Sequence, residues 1–285
     1  MTITTRFAPS PTGRLHPGHA FSALKAHDFA RERGGRFLLR IEDIDGTRSR
    51  PEHVATILAD LEWLGIGWDG DVIFQSQRLA SYADALDRLR GMGLLYPCFC
   101  TRADIAASLS APHPGASGPE GAIYPGTCRA LRAPDLTKPH CWRLDMAKAL
   151  AMIGYPLNFE DSRHGHIHAD PATHGDVVLA RKDAPASYHL AVTLDDSAQG
   201  VTDIVRGDDL LPATHVHRLL QALLHLPTPR YHHHGLLTGA DGQRLAKRHG
   251  APTLAALRES GVDGRAFADA LRRGELPVGF GATSA

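Results

Sequence analysis

Short apolar runs alternate with amphipathic stretches along the first third of the chain. Residues 3–9 read as a strand, and residues 18–33 as a helix with Phe21, Leu24 and Phe29 among its apolar positions. After the Gly34-Gly35 break, Arg36–Ile41 is a compact apolar strand. Ser49-Arg50-Pro51-Glu52 has the form of a capping box with proline early in the first turn. The helix it opens carries Val54, Ile57, Leu58, Leu61 and Leu64 on one stripe, and Gln77–Arg90 forms another with Leu79, Tyr82, Leu86 and Leu89. This β-α-β-α order predicts an α/β fold, an open parallel sheet with helices on its faces.

The pattern breaks between residues 97 and 135. Pro, Gly, Ser and three cysteines replace the periodic apolar runs there, which marks an insertion with little core of its own. Residues 142–206 read as further strands and turns, including Val177–Ala180 and Tyr188–Leu194. A helix is expected at 214–225, then the strand-like Tyr231–Leu237, and a helical segment over 253–273. The expected division is therefore a first half of the sheet domain at 1–96, the insertion at 97–135, the rest of the sheet domain at 136–252 and a C-terminal helical segment at 253–285.

Composition narrows the class. With 285 residues, 43% hydrophobic and 22% charged, the chain has the make-up of a soluble globular protein with a sizeable core. No apolar run approaches the roughly 20 residues of a membrane span, and the N-terminus lacks a signal-peptide core, so a cytoplasmic protein without membrane partners is expected. Four cysteines in such a chain suggest thiols or a metal site rather than a disulfide framework. Lys+Arg and Asp+Glu both number 31, so any face for nucleic acid must be local rather than spread over the whole surface.

Chemistry concentrates in three places. RFAPSPTGRLHPGHA, Arg6 to Ala20, reads as a strand, a Pro/Gly turn and a helix start at which His16 and His19 sit. Backbone N–H groups and the positive helix end converge there, which suits a phosphate, and two imidazoles three residues apart can donate to one anion. Gly18 leaves room for a base or sugar against the backbone. GADGQRLAKRHG, Gly239 to Gly250, sets Arg244, Lys247 and Arg248 in a glycine-bracketed loop able to close over a polyphosphate and offset charge on a leaving pyrophosphate. In the insertion, Cys98, Cys100 and Cys128 can share a tetrahedral Zn²⁺, although the spacing is not a standard CxxC pair, and free thiols are the alternative. The 18 histidines include His164, His166 and His168 at strand alternation and the run His232–His234, both read as solvent-exposed.

Together, HPGH and RLAKR resemble the paired HIGH and KMSKS signatures of class I aminoacyl-tRNA synthetases. PSPTGRLHPGH, RFLLRIEDIDGTRSRPE, YHLAVTLDD and VRGDDLL are similar to the glutamyl branch of that class, and these segments extend from the N-terminus to the basic loop. The resemblance implies a Rossmann-type catalytic domain with a zinc-binding insertion. It implies ATP-dependent activation of L-glutamate to glutamyl-adenylate, with Mg²⁺ accompanying ATP. Glu42 and Tyr188 would hold the α-ammonium, with Arg6 and Arg206 on the side-chain carboxylate and Ala8 and Ser10 beside them. Two guanidiniums suit a carboxylate and disfavour the neutral amide of glutamine. His16, His19 and Lys247 would stabilise the transition state, and Pro9, Gly13, Gly18, Arg244 and Leu245 would complete the ATP site. The loop departs from the family pattern at Arg244, which keeps the charge, and at Ala246, which lacks the hydroxyl. In the insertion the resemblance makes Tyr124 the fourth zinc ligand, with Cys141 either in its place or a buried thiol.

The chain ends shortly after the basic loop, where full-length glutamyl-tRNA synthetases continue into an anticodon-binding domain. The short family with this architecture is that of the glutamyl-Q tRNA(Asp) synthetases, and the resemblance implies transfer of glutamate to queuosine in the anticodon loop of tRNA(Asp), by a monomer. Other readings are a minimal enzyme charging the 3′ end of tRNA(Glu), a nucleotidyltransferase sharing only the ATP chemistry, and a non-catalytic tRNA-binding paralogue. The set His16, His19, Glu42, Arg206 and Lys247 argues against the last of these, because a binding module has no use for all of them.

Overall fold

The computed structural model describes residues 2–101, 103–105, 117–119, 121–237 and 252–275. In chain order, strand β1 (Thr4–Phe7) leads to helix α1 (Pro17–Arg31), β2 (Arg36–Ile41), α2 (Pro51–Trp63), β3 (Ile73–Phe74), α3 (Leu79–Gly91) and β4 (Leu95–Cys98). A two-stranded ribbon, β5 (Ser117–Gly118) and β6 (Gly121–Ala122), precedes β7 (Cys141–Leu144), α4 (Met146–Ile153), β8 (Asn158–Asp161), β9 (Gly165–His168) and β10 (Val178–Ala180). Helix α5 (Tyr188–Ala198), β11 (Asp203–Gly207), α6 (Leu211–Leu224), β12 (Arg230–His234), α7 (Leu254–Glu259) and α8 (Gly264–Arg272) complete the order.

The parallel pairs β1–β2, β2–β3 and β11–β12 form the heart of the molecule. β1 and β11 lie side by side, joined where Thr202 N donates to Thr4 O at 3.0 Å and Thr4 N to Thr202 Oγ1 at 2.9 Å. The sheet β1-β2-β3 and the sheet β11-β12-β8-β9 therefore meet edge to edge at β1 and β11, the kind of junction at which open α/β sheets bind ligands. Two apolar cores flank it. One gathers Leu24, Phe37, Leu39, Ile57 and Leu61 with Leu254 and Phe267 of the C-terminal helices. The other gathers Tyr82, Leu89, Leu144, Leu190, Val216, Leu220 and Tyr231. A separate antiparallel sheet, β10-β7-β4, carries the insertion.

Most elements stand where the apolar pattern puts them, with instructive exceptions. Tyr188–Leu194 is the start of helix α5 rather than a strand, capped by Ser187, whose Oγ accepts from Leu190 N. The helix is buried on several faces, with His189, Thr193, Asp195 and Asp196 enclosed as well as Leu190, Ala191 and Val192, so it shows no polar stripe to betray its period. Helix α4 also falls in a stretch read as strands and turns; Asp145 caps it and Gly154, at φ 67°, ends it. The capping box expected at Ser49 is absent. Arg50 is the N-cap and makes no side-chain cap, because proline at the first helical position leaves Ser49 one residue too early. The predicted 253–273 segment is two helices, broken at residues 260–263.

Candidate active site and metal centre

The C-terminal ends of β1, β2 and β11 meet the start of α1 around a cavity of about 290 Å³. Its lining includes Arg6, Ala8, Pro9, Ser10, His16, Gly18, His19, Glu42, Tyr188 and Arg206, so ten residues singled out in the sequence come together. Gly13 lies in the preceding turn and is not part of the lining. Arg244, Leu245 and Lys247 lie outside the described residues.

The helix start is a reciprocal cap made by the two histidines. His16 Nδ1 accepts from Gly18 N, and His19 Nδ1 accepts from His16 N, each at 3.1 Å. A neutral imidazole that accepts at Nδ1 must carry its proton on Nε2, so both rings present Nε2 as the donor. The rings are 3.7 Å apart, which makes them one unit. Gly18 serves this cap: a Cβ there would come within 3.0 Å of the His16 ring. A side chain at this position would therefore crowd the His16 ring.

Beside the cap lies a buried lattice of charge. Arg6 meets Asp196 of α5 through Nε and Nη2, at 2.9 and 3.2 Å. Arg40 of β2 reaches Asp196 at 2.9 Å, Glu42 at 3.5 Å and Gln199 at 2.6 Å. Asp195 takes Arg78 at 2.6 Å and both Gln75 and Tyr82 at 2.8 Å. Burial pushes the Asp196 carboxyl up, but Arg6 and Arg40 outweigh it and hold the group below its ordinary value. Glu42 responds differently. Burial drives it up to about 7 against the lowering by Arg40 and Arg6, with a smaller push from the negative charge of Asp196 and Asp195.

Arg206, at the end of β11, is 4% exposed and makes no ion pair with Asp208, which instead binds Arg163 and His164. Its Nη1 donates to Tyr188 Oη at 3.2 Å, its Nη2 to Thr214 Oγ1 at 2.7 Å and its Nε to His233 Nε2 at 3.2 Å. His233, read as exposed from the His232–His234 run, is buried, since it alternates inward between β12 neighbours that are only half-buried. Burial and then the Arg206 charge push it down to about 4. His217 is likewise held well below the usual imidazole value, by burial and then by Arg206. On β9 the other histidine series behaves as expected at the surface, with His166 against Glu160 and His168 against Asn158.

Asp196, Arg40, Asp195, Thr214 and Asp161 were not singled out by sequence, and His233 only as part of a run read as exposed. The paired acids of YHLAVTLDD carried the available signal: two carboxylates amid apolar residues must find cations once the segment is read as a buried helix.

At the insertion, Cys98, Cys100 and Cys128 bring their sulfurs within 4.8 Å of one another. Cys100 and Cys128 Sγ are 3.6 Å apart, close to the ~3.8 Å edge of a tetrahedron with metal–sulfur bonds of about 2.3 Å. Tyr124 Oη lies 3.5 Å from Cys100 Sγ and accepts from Cys128 N at 2.9 Å. Cys141 is a buried thiol outside the cluster and donates to the Cys98 carbonyl at 3.5 Å. The neighbouring Cys141 thiol side chain, with smaller help from Tyr124 and Arg143, holds the Cys98 thiol down to about 4 against burial. Three sulfurs this close to one another can hold a metal ion.

The comparisons with known proteins agree with this geometry. Residues 2–279 match the family of tRNA synthetases class I (E and Q), catalytic domain. The chain is 52% identical over 268 residues to the glutamyl-Q tRNA(Asp) synthetase of Rhodobacter capsulatus, with 91% of this chain and 96% of that one covered. To the glutamyl-Q tRNA(Asp) synthetase of Symbiobacterium thermophilum it is 46% identical, over 90% of this chain and 81% of that one. Among solved structures, a glutamate tRNA ligase from Elizabethkingia meningosepticum in complex with its amino acid superposes with a TM-score of 0.77 at 26% identity. That match covers 95% of this chain but only 60% of the ligase, so the chain spans the part of that larger protein that forms this fold. From its fold, its paired signatures and these relatives, the chain belongs to the class I glutamyl and glutaminyl tRNA synthetase family, in the branch of the glutamyl-Q tRNA(Asp) synthetases.

Proposed function

We propose that the protein activates glutamate with ATP and transfers it to queuosine in the anticodon loop of tRNA(Asp). The observation that carries the first half is the single cavity in which the His16–His19 helix start faces Glu42, Tyr188, Arg6 and Arg206. Such a cavity offers donors for phosphate at one end and a carboxylate and two guanidiniums at the other, which is the charge pattern of ATP beside glutamate.

In this reading Glu42 and Tyr188 receive the α-ammonium and Arg6 and Arg206 receive the side-chain carboxylate. The substrate α-carboxylate oxygen then attacks the α-phosphorus in line, the bond to the bridging oxygen breaks, and pyrophosphate leaves. This is chemistry governed by positioning and charge, with little for a general base to do. His16 and His19 donate to the phosphates from Nε2, and Lys247 of the basic loop offsets charge on the leaving pyrophosphate. Pro9, Gly13, Gly18, Arg244 and Leu245 complete the nucleotide site, with Ala8 and Ser10 beside the amino acid. Mg²⁺ accompanies ATP and neutralises phosphate charge. In the second step a nucleophile of the modified base attacks the adenylate carbonyl and AMP departs.

The acceptor follows from the relatives, both named for glutamyl transfer to tRNA(Asp) and matched over most of their length. The insertion, residues 97–135, is assigned one structural Zn²⁺, held by Cys98, Cys100, Cys128 and Tyr124. Thiolates and a phenol oxygen at tetrahedral spacing suit zinc better than a hard cation. We take the enzyme to work in the cytoplasm as a monomer.

Two assays test the function. Glutamate-dependent ATP–pyrophosphate exchange should be present, and its absence would remove the activation step. Labelled glutamate should then map to the anticodon loop of queuosine-bearing tRNA(Asp). Label released with the 3′-terminal adenosine would instead make the protein an enzyme that charges the 3′ end.

A further inference from the structure

We propose that His233 and Asp161 are positioning residues that fix the aim of Arg206 while leaving its charge to the substrate. The inference rests on the reading of Arg206 as a holder of the glutamate carboxylate.

Arg206 and Asp161 stand on strands either side of β12, which carries His233, so a line of contacts crosses the sheet from β8 to β11. Asp161 Oδ2 accepts from His233 Nδ1 at 2.7 Å and from His233 N at 3.1 Å. Its Oδ1 accepts the backbone N–H groups of Arg163 and His164, both at 2.9 Å. A carboxylate gripped on both oxygens cannot turn, and it fixes the imidazole proton at Nδ1. The lone pair at Nε2 then faces the Nε–H of Arg206 at 3.2 Å, and burial keeps the ring neutral enough to accept it. The ring is also held flat, stacked on Tyr231 at an interplanar angle of 4°.

The consequence is geometric and electrostatic. A guanidinium has five N–H donors. Three are taken by His233, Tyr188 and Thr214, which leaves one on each terminal nitrogen, the number a carboxylate needs for a bidentate grip. Among the described residues Arg206 has no carboxylate partner, whereas Arg6 and Arg40 are both bound directly to Asp196. An acid placed directly on Arg206 would hold it as well but would neutralise it. Interposing a neutral imidazole keeps Asp161 at one remove, so orientation is gained without spending the positive charge.

The experiment measures KM for glutamate and for ATP in pyrophosphate exchange, using the full chain. His233→Phe keeps a ring of similar size but has no acceptor, and His233→Gln restores an acceptor oxygen. The expected result is a rise of about tenfold or more in glutamate KM for His233→Phe with ATP KM unchanged, since hydrogen bonds to charged groups have that weight, and substantial recovery in His233→Gln. Equal glutamate KM in the two variants, or a parallel rise in both KM values, would overturn the proposal. Should His233→Phe fail to fold, Asp161→Asn decides: the imidazole proton moves to Nε2 and confronts the Arg206 donor, so glutamate KM must rise selectively, and a wild-type value overturns the inference. Arg206→Lys is the control for the underlying reading. A wild-type glutamate KM there would refute the carboxylate role itself, whereas a raised KM there with unaffected His233 variants would refute only the relay.

Discussion

Arg6 and Asp196 lie 190 positions apart in the chain and meet through two parallel hydrogen bonds, joining the first strand of the sheet to helix α5 beneath the cavity. Asp196 also binds Arg40, so one carboxylate offsets two buried guanidiniums. Asp196→Ala should therefore lower stability by roughly 3–5 kcal/mol, the usual cost of leaving buried charge unpaired. Urea unfolding measures it; a loss below about 1 kcal/mol, the scale of a surface pair, would contradict this account.

The same pair fixes a pH dependence. The folded Asp196 carboxyl sits below its ordinary value, so its contribution is present above the unfolded pKa near 4 and is lost as pH falls through the folded value. Asp196→Asn removes this titration. The stability gap between wild type and Asp196→Asn should be widest near neutrality and close in acid, and a gap independent of pH would count against the ion pair.

Glu42 titrates in the opposite sense. Its folded value is raised to about 7, so its protonated form favours the fold below the unfolded pKa, and that contribution is lost as pH rises through about 7. Binding of an ammonium needs the ionised form. The kcat/KM for glutamate should then rise with pH to a plateau above an inflection near 7, and Glu42→Gln should lower the plateau and erase the inflection. An inflection that survives in Glu42→Gln belongs to another group.

How much of this was legible beforehand depends on where each residue's partners lie. The strand, turn and helix from Arg6 to Ala20 declare themselves because their chemistry is local: two histidines cap the helix they begin. The first two parallel strands follow from apolar runs and a glycine break for the same reason, whereas the two-residue β3 is too short to leave such a pattern. Helix α5 is enclosed, and its lack of a polar stripe hides its period. His233 and Thr214 gain meaning only through Arg206, on a different strand, and no spacing rule connects them. Residues that match a known pattern stand out in the sequence; those that orient them do not, because orientation is a property of the packed sheet.

Lys247 is the residue of the basic loop on which transition-state charge should depend. Lys247→Ala is expected to reduce pyrophosphate exchange about a hundredfold or more while leaving circular dichroism and melting temperature unchanged, as for loss of a transition-state charge contact. Because Arg244 keeps a cation in the loop, Arg244→Ala should cost less. Undiminished exchange in Lys247→Ala would refute its role.

The fourth position of the metal set separates Tyr124 from Cys141. Tyr124 Oη faces the cluster and receives the N–H of Cys128, so it is already held where a ligand oxygen would stand. The Arg143 guanidinium covers the Tyr124 ring at 3.9 Å, which keeps the phenol from swinging away. Cys141 spends its hydrogen on the Cys98 carbonyl and lies outside the trio of close sulfurs. Cys98→Ala should therefore abolish bound zinc by elemental analysis, since two sulfurs and one oxygen leave the tetrahedron open. Tyr124→Phe should retain zinc but release it to a chelator at least tenfold faster, whereas Cys141→Ser should release it at the wild-type rate, by the usual weight of one ligand or close neighbour. Faster release from Cys141→Ser than from Tyr124→Phe would reverse the assignment, and equal zinc in Cys98→Ala and wild type would remove the site altogether.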